Sequence, residues 1–151
     1  MDLDVILNDQ KYFFYISSYQ TDADNKKIVL FTYYYQFKYA LAWKAEMTNS
    51  HVIVIKYLQE YNTKAHELCA QKRLVPELLH ISNFEELRKF QIVITDFVPG
   101  IILSKKDKID LKFYQDIYEN MKSIINLLHE KNFVFANLKP TNILMNNVNG
   151  K

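Results

Sequence analysis

The spacing of the apolar residues changes at Pro99 and Gly100, and this change most constrains what the chain can fold into. Before this dipeptide, aromatic and β-branched residues often recur at every second position, which is typical of strands that bury one face. After it, apolar residues recur at steps of three and four, which is typical of a helix. The sequence therefore predicts an α+β protein with an antiparallel sheet in its first part.

Strand signals fill most of the first hundred residues. In the clearest segment, Trp43 and Met47 belong to one face. Lys44 and Glu46 alternate with them and belong to the other. A polar turn at 48–50 ends this segment. The predicted strands cover residues 12–16, 28–35, 37–47, 52–57 and 91–98.

Two helices are predicted. The first runs from Thr63, whose hydroxyl can cap it, to about residue 73, and Pro76 prevents its continuation. The second covers residues 116–130 and carries an apolar stripe. That stripe consists of Ile117, Met121, Ile124, Ile125 and Leu128. Asn132 suits the end of this helix, and a short strand is predicted over 133–135.

The composition excludes several classes of protein. The net charge is +2 over 151 residues without a basic stripe, so nucleic acid is not an expected partner. Cys69 is the only cysteine, so no internal disulfide can form and a reducing compartment is expected. No signal peptide and no apolar run of about 18 residues is visible, and we expect a cytoplasmic protein without a membrane contact. The four histidines lack the spacing of metal ligands.

The most specific motif is Leu-Lys-Pro-Thr-Asn-Ile-Leu at residues 138–144. It matches the protein-kinase catalytic loop H-R-D-L-K-P-x-N-I-L from its leucine onward. Residues 93–100, Val-Ile-Thr-Asp-Phe-Val-Pro-Gly, are similar to the hinge of the same family. Between about residues 37 and 145 the chain thus resembles the protein kinase superfamily, in its serine/threonine form.

This resemblance implies a protein-kinase-like fold. Residues 1–98 would form the small lobe, an antiparallel sheet with one helix. Residues 99–151 would form the hinge, the first helix and the catalytic loop of the large lobe. The chain ends at Lys151 without a D-F-G segment, so we expect a truncated domain.

The resemblance also implies an ATP site in the first hundred residues. Lys56 would hold the α- and β-phosphates, and Glu67 would pair with it. Thr95 would be the gatekeeper, and Val54 stands where the family usually carries a smaller alanine above the adenine. The backbone from Asp96 to Val98 would bond the adenine edge.

The catalytic loop would carry the remaining roles. Lys139 would neutralise charge on the transferred phosphoryl group, and Asn142 would bind Mg²⁺. Asn137, however, occupies the position of the catalytic aspartate. A neutral amide cannot accept the proton of the attacking hydroxyl, and losing a general base costs about 10²–10⁴ in rate. The chain has only two glycines and no glycine-rich phosphate loop.

These departures favour a pseudokinase with ATP-binding features and a regulatory or scaffolding use. Two alternatives stay open. One is an active serine/threonine kinase that a partner or further sequence completes, and the other is an interaction module without a nucleotide site. We expect the helix over 116–130 to be incompletely covered and to bind a protein partner or a second copy.

Overall fold

The computed structural model of the protein describes residues 16–21, 26–38, 40–82, 90–106, 110–135 and 138–145. The chain divides into two compact units. The first comprises residues 1–61 and 78–97, and the second comprises residues 62–77 and 98–151.

The first unit is built around a six-stranded antiparallel sheet. Its strands are β1 (Ser18–Gln20), β2 (Ile28–Gln36), β3 (Ala42–Met47), β4 (Val52–Leu58), β5 (Leu78–Ile81) and β6 (Gln91–Asp96). Their order across the sheet is β1-β2-β3-β4-β6-β5. Consecutive strands are therefore neighbours up to β4, after which β6 lies between β4 and β5.

One face of this sheet carries the apolar core. The alternation along β4 places Ile53, Ile55 and Tyr57 on this face, all of them buried. The fully buried ring of Trp43 packs edge-on against Tyr57, with 5.4 Å between the ring centroids. The other buried members of the cluster are Phe31, Ala45, Ile92 and Ile94. Aromatic rings supply much of the buried area, which makes this cluster the main source of stability in the unit.

The sheet curls until its two end strands approach each other. The register between β2 and β3 shifts between Tyr33 and Tyr35, and such a bulge bends a strand and increases its twist. The rings of Tyr19 in β1 and His80 in β5 lie 5.1 Å apart. Because these strands stand at opposite ends of the strand order, the sheet is almost closed on itself.

The second unit contains two α-helices and a two-stranded sheet. They are α1 (Thr63–Gln71), α2 (Leu111–Glu130), β7 (Ile101–Ile102) and β8 (Leu144–Met145). Two turns of 3-10 helix, Leu103–Lys105 and Pro140–Asn142, adjoin the strands.

Both α-helices begin at a side-chain cap. Asn62 Oδ1 accepts a hydrogen bond from the Ala65 N–H at 3.0 Å, and Asp110 Oδ1 accepts one from the Phe113 N–H at 2.7 Å. Each cap satisfies a backbone donor that the first turn of a helix leaves open.

The helices share a small apolar core. Cys69 of α1 is buried together with Ile124 and Leu128 of α2. Partly buried apolar side chains surround these three, namely Ala65, Leu74, Val75, Met121 and Phe133. Among the described residues, no helix is both long enough and apolar enough to cross a membrane.

The protein-kinase-like fold implied by the resemblance is wrong. Most of the described structure is a six-stranded antiparallel sheet that is nearly closed, not a small lobe followed by the start of a helical large lobe. Only two α-helices occur among the described residues, so a helical large-lobe core is not present there. Local motifs could not reveal this, since they specify neither how many strands join a sheet nor how far the sheet curls.

Several elements also differ from their predicted bounds. The segment over 37–47 forms a strand only from Ala42, because the Phe37 N–H bonds to the Ala42 carbonyl and closes a turn. Helix α2 begins at Leu111, five residues before its predicted start, and α1 is capped by Asn62 instead of Thr63. The residues at 133–135 are not a strand. The strand predicted at 12–16 lies almost wholly outside the described residues.

Candidate functional site

Most predicted nucleotide-binding residues of the first unit lie on the face of the sheet opposite the core. Lys56 stands directly across from Ala42 on β3 and Val93 on β6. Val54 stands across from Lys44 on β3 and Thr95 on β6. Directly paired residues in an antiparallel sheet point to the same side, so these side chains form one surface. We call it the lysine face and define it by Lys44, Val54, Lys56, Thr95 and Phe97.

Lys56 is the most perturbed cation of the described residues. Its side chain is largely buried, and this desolvation lowers its pKa from the ordinary value of 10.5. No carboxylate among the described residues of the first unit lies within 4.0 Å of its ammonium group. A largely buried ammonium without a nearby counter-charge favours the binding of an anion, which would supply that charge.

Lys44 lies between two aromatic rings of the first unit. Its Nζ is 3.8 Å from the centroid of the Phe97 ring and 5.8 Å from that of Tyr35. Both distances fall within the range of a cation–π interaction, and the contact with Phe97 is close. Phe97 is held at the end of β6, where its N–H donates to the Val52 carbonyl at 3.1 Å.

Thr95 and Val54 form a tight pair beside Lys56. Thr95 is 2% exposed and Val54 is 9% exposed, and they are direct partners across β4 and β6. The extra methyl groups of valine, compared with alanine, therefore lie against the predicted gatekeeper.

Asp96 is next to Thr95 in sequence but its side chain takes the opposite face. It stands across from Ile53, which belongs to the apolar core. Its Oδ1 lies 2.8 Å from His51 Nε2, and the imidazole donates to the carboxylate when this nitrogen carries a proton. The carboxylate also raises the pKa of Tyr19, although desolvation of that phenol is the larger cause. The Asp96 side chain is thus engaged away from the lysine face.

The remaining predicted residues lie in the second unit. Lys139 precedes one 3-10 turn and Asn142 ends it, and the Asn142 N–H donates to the Lys139 carbonyl at 2.8 Å. Both residues are exposed. The turn is held in place because Leu144–Met145 pairs with Ile101–Ile102. Asn137 lies outside the described residues.

Glu67 is exposed on α1 and Val98 follows β6, and both belong to the second unit. The structure thus brings Lys56, Val54 and Thr95 together on one surface. It brings Lys139 and Asn142 together on another. Because Lys56 and Glu67 belong to different units, their pairing stays a prediction.

Sequence reasoning missed two residues of the lysine face, Lys44 and Phe97. A signal for Lys44 existed, since it alternates with Trp43 and therefore faces away from the core. Phe97 lies in the predicted hinge, but the contact of its ring with Lys44 could not be predicted, because it depends on β4 lying between β3 and β6.

The described residues offer little for a metal ion. They contain no group of three or more His, Cys, Asp or Glu side chains that could hold one. Mg²⁺ prefers carboxylate oxygens and water, and a single exposed amide such as that of Asn142 is a weak ligand.

Comparisons with protein-family models and with curated protein sequences found no match to this chain. The residues that suggest a function are therefore those of the chain itself. They are the motif at 138–144 and the lysine face.

Proposed function

We propose that the protein is a cytoplasmic nucleotide-binding module that binds ATP at the lysine face and acts in regulation or scaffolding. Its sequence motif is that of serine/threonine protein kinases, but we expect phosphoryl transfer to be weak or absent. We base the proposal on the residues of β3, β4 and β6 and on the sequence at 138–144. It does not depend on a kinase-like fold, which the structure contradicts.

The observation that supports ATP best is the environment of Lys56. Its ammonium is largely buried, and no carboxylate of the described part of the first unit balances it. A phosphate group could provide charge-assisted hydrogen bonds at this position.

We expect weak phosphoryl transfer because of the side chains that stand at the predicted catalytic positions. Asn137 is an amide and cannot act as a general base. The described residues contain no group of three or more His, Cys, Asp or Glu side chains that could hold a metal ion. Lysines would balance charge on the phosphate, and they can bind a nucleotide without activating a nucleophile.

Isothermal titration calorimetry tests the proposal. Wild-type protein, Lys56→Met and the exposed control Lys27→Met are titrated with ATP, once with Mg²⁺ and once with EDTA. We expect ATP to bind the wild type and the control in both buffers, and to bind Lys56→Met at least about tenfold more weakly, as expected for a lost charged hydrogen bond. Equal affinity of wild type and Lys56→Met would refute the lysine face as the ATP site.

A second measurement separates the alternatives. Transfer of radiolabelled phosphate from ATP to a generic protein substrate is followed with Mg²⁺, again with Lys56→Met beside it. Transfer that depends on Lys56 would show an active kinase and overturn the inactive assignment. Absence of both binding and transfer would favour an interaction module without a nucleotide site.

A further inference from the structure

Two backbone donors in the described part of the turn between β2 and β3 are already engaged. The Phe37 N–H donates to the Ala42 carbonyl at 2.9 Å, and the Ala40 N–H donates to the Phe37 carbonyl at 3.3 Å. No glycine occurs in this region, so the backbone cannot approach a ligand as closely as a glycine-rich loop does. A polyphosphate bound here would therefore rely on positively charged side chains of this part of the sheet.

Lys44 is placed to supply it. Because Lys44 pairs with Val54 and Lys56 pairs with Ala42, the two lysines are diagonal neighbours on β3 and β4. Diagonal neighbours lie about 7–8 Å apart, within reach of long side chains. Two cations on one partly dehydrated face create a local positive potential that concentrates anions.

The resting position of Lys44 is over the Phe97 ring. To reach that ring from β3, its side chain crosses β4 at the level of Val54. A cation–π contact of this kind is worth only about 0.5–1 kcal/mol at an exposed site, so a phosphate can compete with it.

We propose that Lys44 is a second phosphate-binding residue, which leaves the Phe97 ring and joins Lys56 in holding the polyphosphate of a nucleoside triphosphate. This inference rests on the proposed function, and it adds that the polyphosphate is the part of the ligand that the protein recognises. Binding is driven by the number of phosphates, needs no metal ion and weakens as salt is added.

Calorimetry in EDTA with AMP, ATP and inorganic tripolyphosphate tests the inference. We expect the loss of the Lys44 charge in Lys44→Gln to weaken ATP binding about tenfold and AMP binding less than about threefold. Lys44→Arg keeps the charge and should restore ATP binding to within about twofold. Tripolyphosphate should bind the wild type more weakly than ATP and lose affinity in Lys44→Gln. Tripolyphosphate binding as strong as ATP would overturn the assignment to a nucleotide.

The variant Phe97→Leu should change the affinity for ATP in the opposite direction to Lys44→Gln. It removes the ring that holds Lys44 at rest, so ATP should bind about two- to fivefold more tightly. Weaker binding in Phe97→Leu would mean that the ring contacts the ligand, and would overturn the resting role of Phe97. Circular dichroism confirms that each variant is folded.

Lys106 provides the matched control, because its Nζ lies 4.1 Å from the Phe113 ring centroid in the second unit. Lys106→Gln removes the same type of contact and should leave ATP affinity unchanged. A loss as large as that of Lys44→Gln would show a general effect of charge and overturn the inference. If ATP binding depends on Lys56 but not on Lys44, this inference fails while the proposed function holds. If neither ATP nor tripolyphosphate binds the wild type at millimolar concentration, both fail.

Discussion

At the scale of single residues, Lys56 combines a cost to stability with a use in binding. Its charge is largely buried on a strand whose other face is the apolar core. Dehydrating an ammonium group costs free energy unless a partner compensates. Retaining a lysine here is therefore easier to understand as a requirement of function than of folding.

Replacing this lysine by methionine should stabilise the protein at neutral pH. Lys56→Met keeps a similar shape and removes the buried charge, so the free energy of unfolding should rise by on the order of 1 kcal/mol at pH 7. Urea unfolding measures the change, with Lys27→Met as an exposed control. A destabilised Lys56→Met would mean that the ammonium is compensated in the folded protein.

The same variant should show a defined pH dependence. The pKa of Lys56 is lowered by folding, so between that lowered value and 10.5 the unfolded chain binds more protons than the folded one. In this window the free energy of unfolding of the wild type therefore rises with pH, relative to that of Lys56→Met. The advantage of the variant should shrink as the pH approaches 10.5.

The phenols of Tyr33 and Tyr57 should make the stability of the protein fall, and not rise, with increasing pH. Their oxygens are 2.9 Å apart, and burial, more than the hydrogen bond, raises the pKa of Tyr57 well above 10.0. The contribution of Tyr57 to stability is fully present below pH 10.0. It is lost as the pH rises further, because this phenol then ionises only in the unfolded chain. Tyr57→Phe should cost about 1 kcal/mol at pH 7.

Unfolding measured between pH 7 and about 11 checks both the cost of Tyr57→Phe at pH 7 and the loss of stability above pH 10.0, since tyrosine ordinarily ionises near pH 10. Stability should fall less steeply above pH 10.0 in Tyr57→Phe than in the wild type. Tyr34→Phe removes a hydroxyl from a ring that is 55% exposed, and it should behave like the wild type. Identical slopes for wild type and Tyr57→Phe would contradict the assignment.

At the scale of elements, helix α2 has two different sides. Leu128 is 3% exposed and packs in the cluster with Cys69, whereas Leu111 is 90% exposed at the first turn. Leu128→Ala should lower the free energy of unfolding by about 2–5 kcal/mol, because it removes buried methyl groups and leaves a cavity. Leu111→Ala should change it by less than about 0.5 kcal/mol. Similar values from urea unfolding would show that α2 is not packed as described.

The elements also show what the sequence could predict. Period-two alternation located β3, a run of β-branched residues located β4, and helical spacing located α2. The short strands β1 and β5 were missed. β1 has only three residues and β5 has four apolar or aromatic ones without alternation, so neither carries a strand period.

Part of the candidate site was within reach of the sequence and part was not. The position of Lys56 at the end of an apolar strand was visible. Its neighbour across the sheet was not, because β6 pairs with β4 only after the chain has passed through α1 and β5. The same long-range pairing brings Phe97 to Lys44. Local patterns contain no information on such pairings.

At the scale of the whole molecule, the fold shows where a motif-based expectation fails. Short matches at 93–100 and 138–144 led to the prediction of an entire kinase-like fold. The sheet that forms instead has six strands and nearly closes, and its closure depends on contacts such as Tyr19 with His80. These residues lie far apart in sequence and outside every motif.

The expectation of a partner at α2 also belongs to this scale. Ile124 and Leu128 of the apolar stripe are buried within the second unit, and its other three members are partly exposed. Tyr114 and Tyr118 are 64% and 60% exposed. Exposed tyrosines on one helix face are common at protein interfaces. We predict that the protein self-associates through these rings.

Light scattering over a range of concentrations checks this prediction. The mean mass of the wild type should rise with concentration, because bringing two copies together buries the rings. The double variant Tyr114→Glu and Tyr118→Glu should stay monomeric, and Lys112→Glu, an exposed charge reversal on the same helix, should resemble the wild type. A wild type that keeps monomer mass throughout would contradict self-association.

Gly100 joins two distant parts of the second unit. A Cβ at this position would collide with the carbonyl oxygen of Met145 and press on the Leu144 side chain. Gly100→Ala should therefore push β8 away from β7 and loosen the turn of Lys139 and Asn142, which urea unfolding would record as a loss of about 1–3 kcal/mol. The freedom of the 138–144 motif to vary is thus limited by one missing methyl group about forty positions upstream.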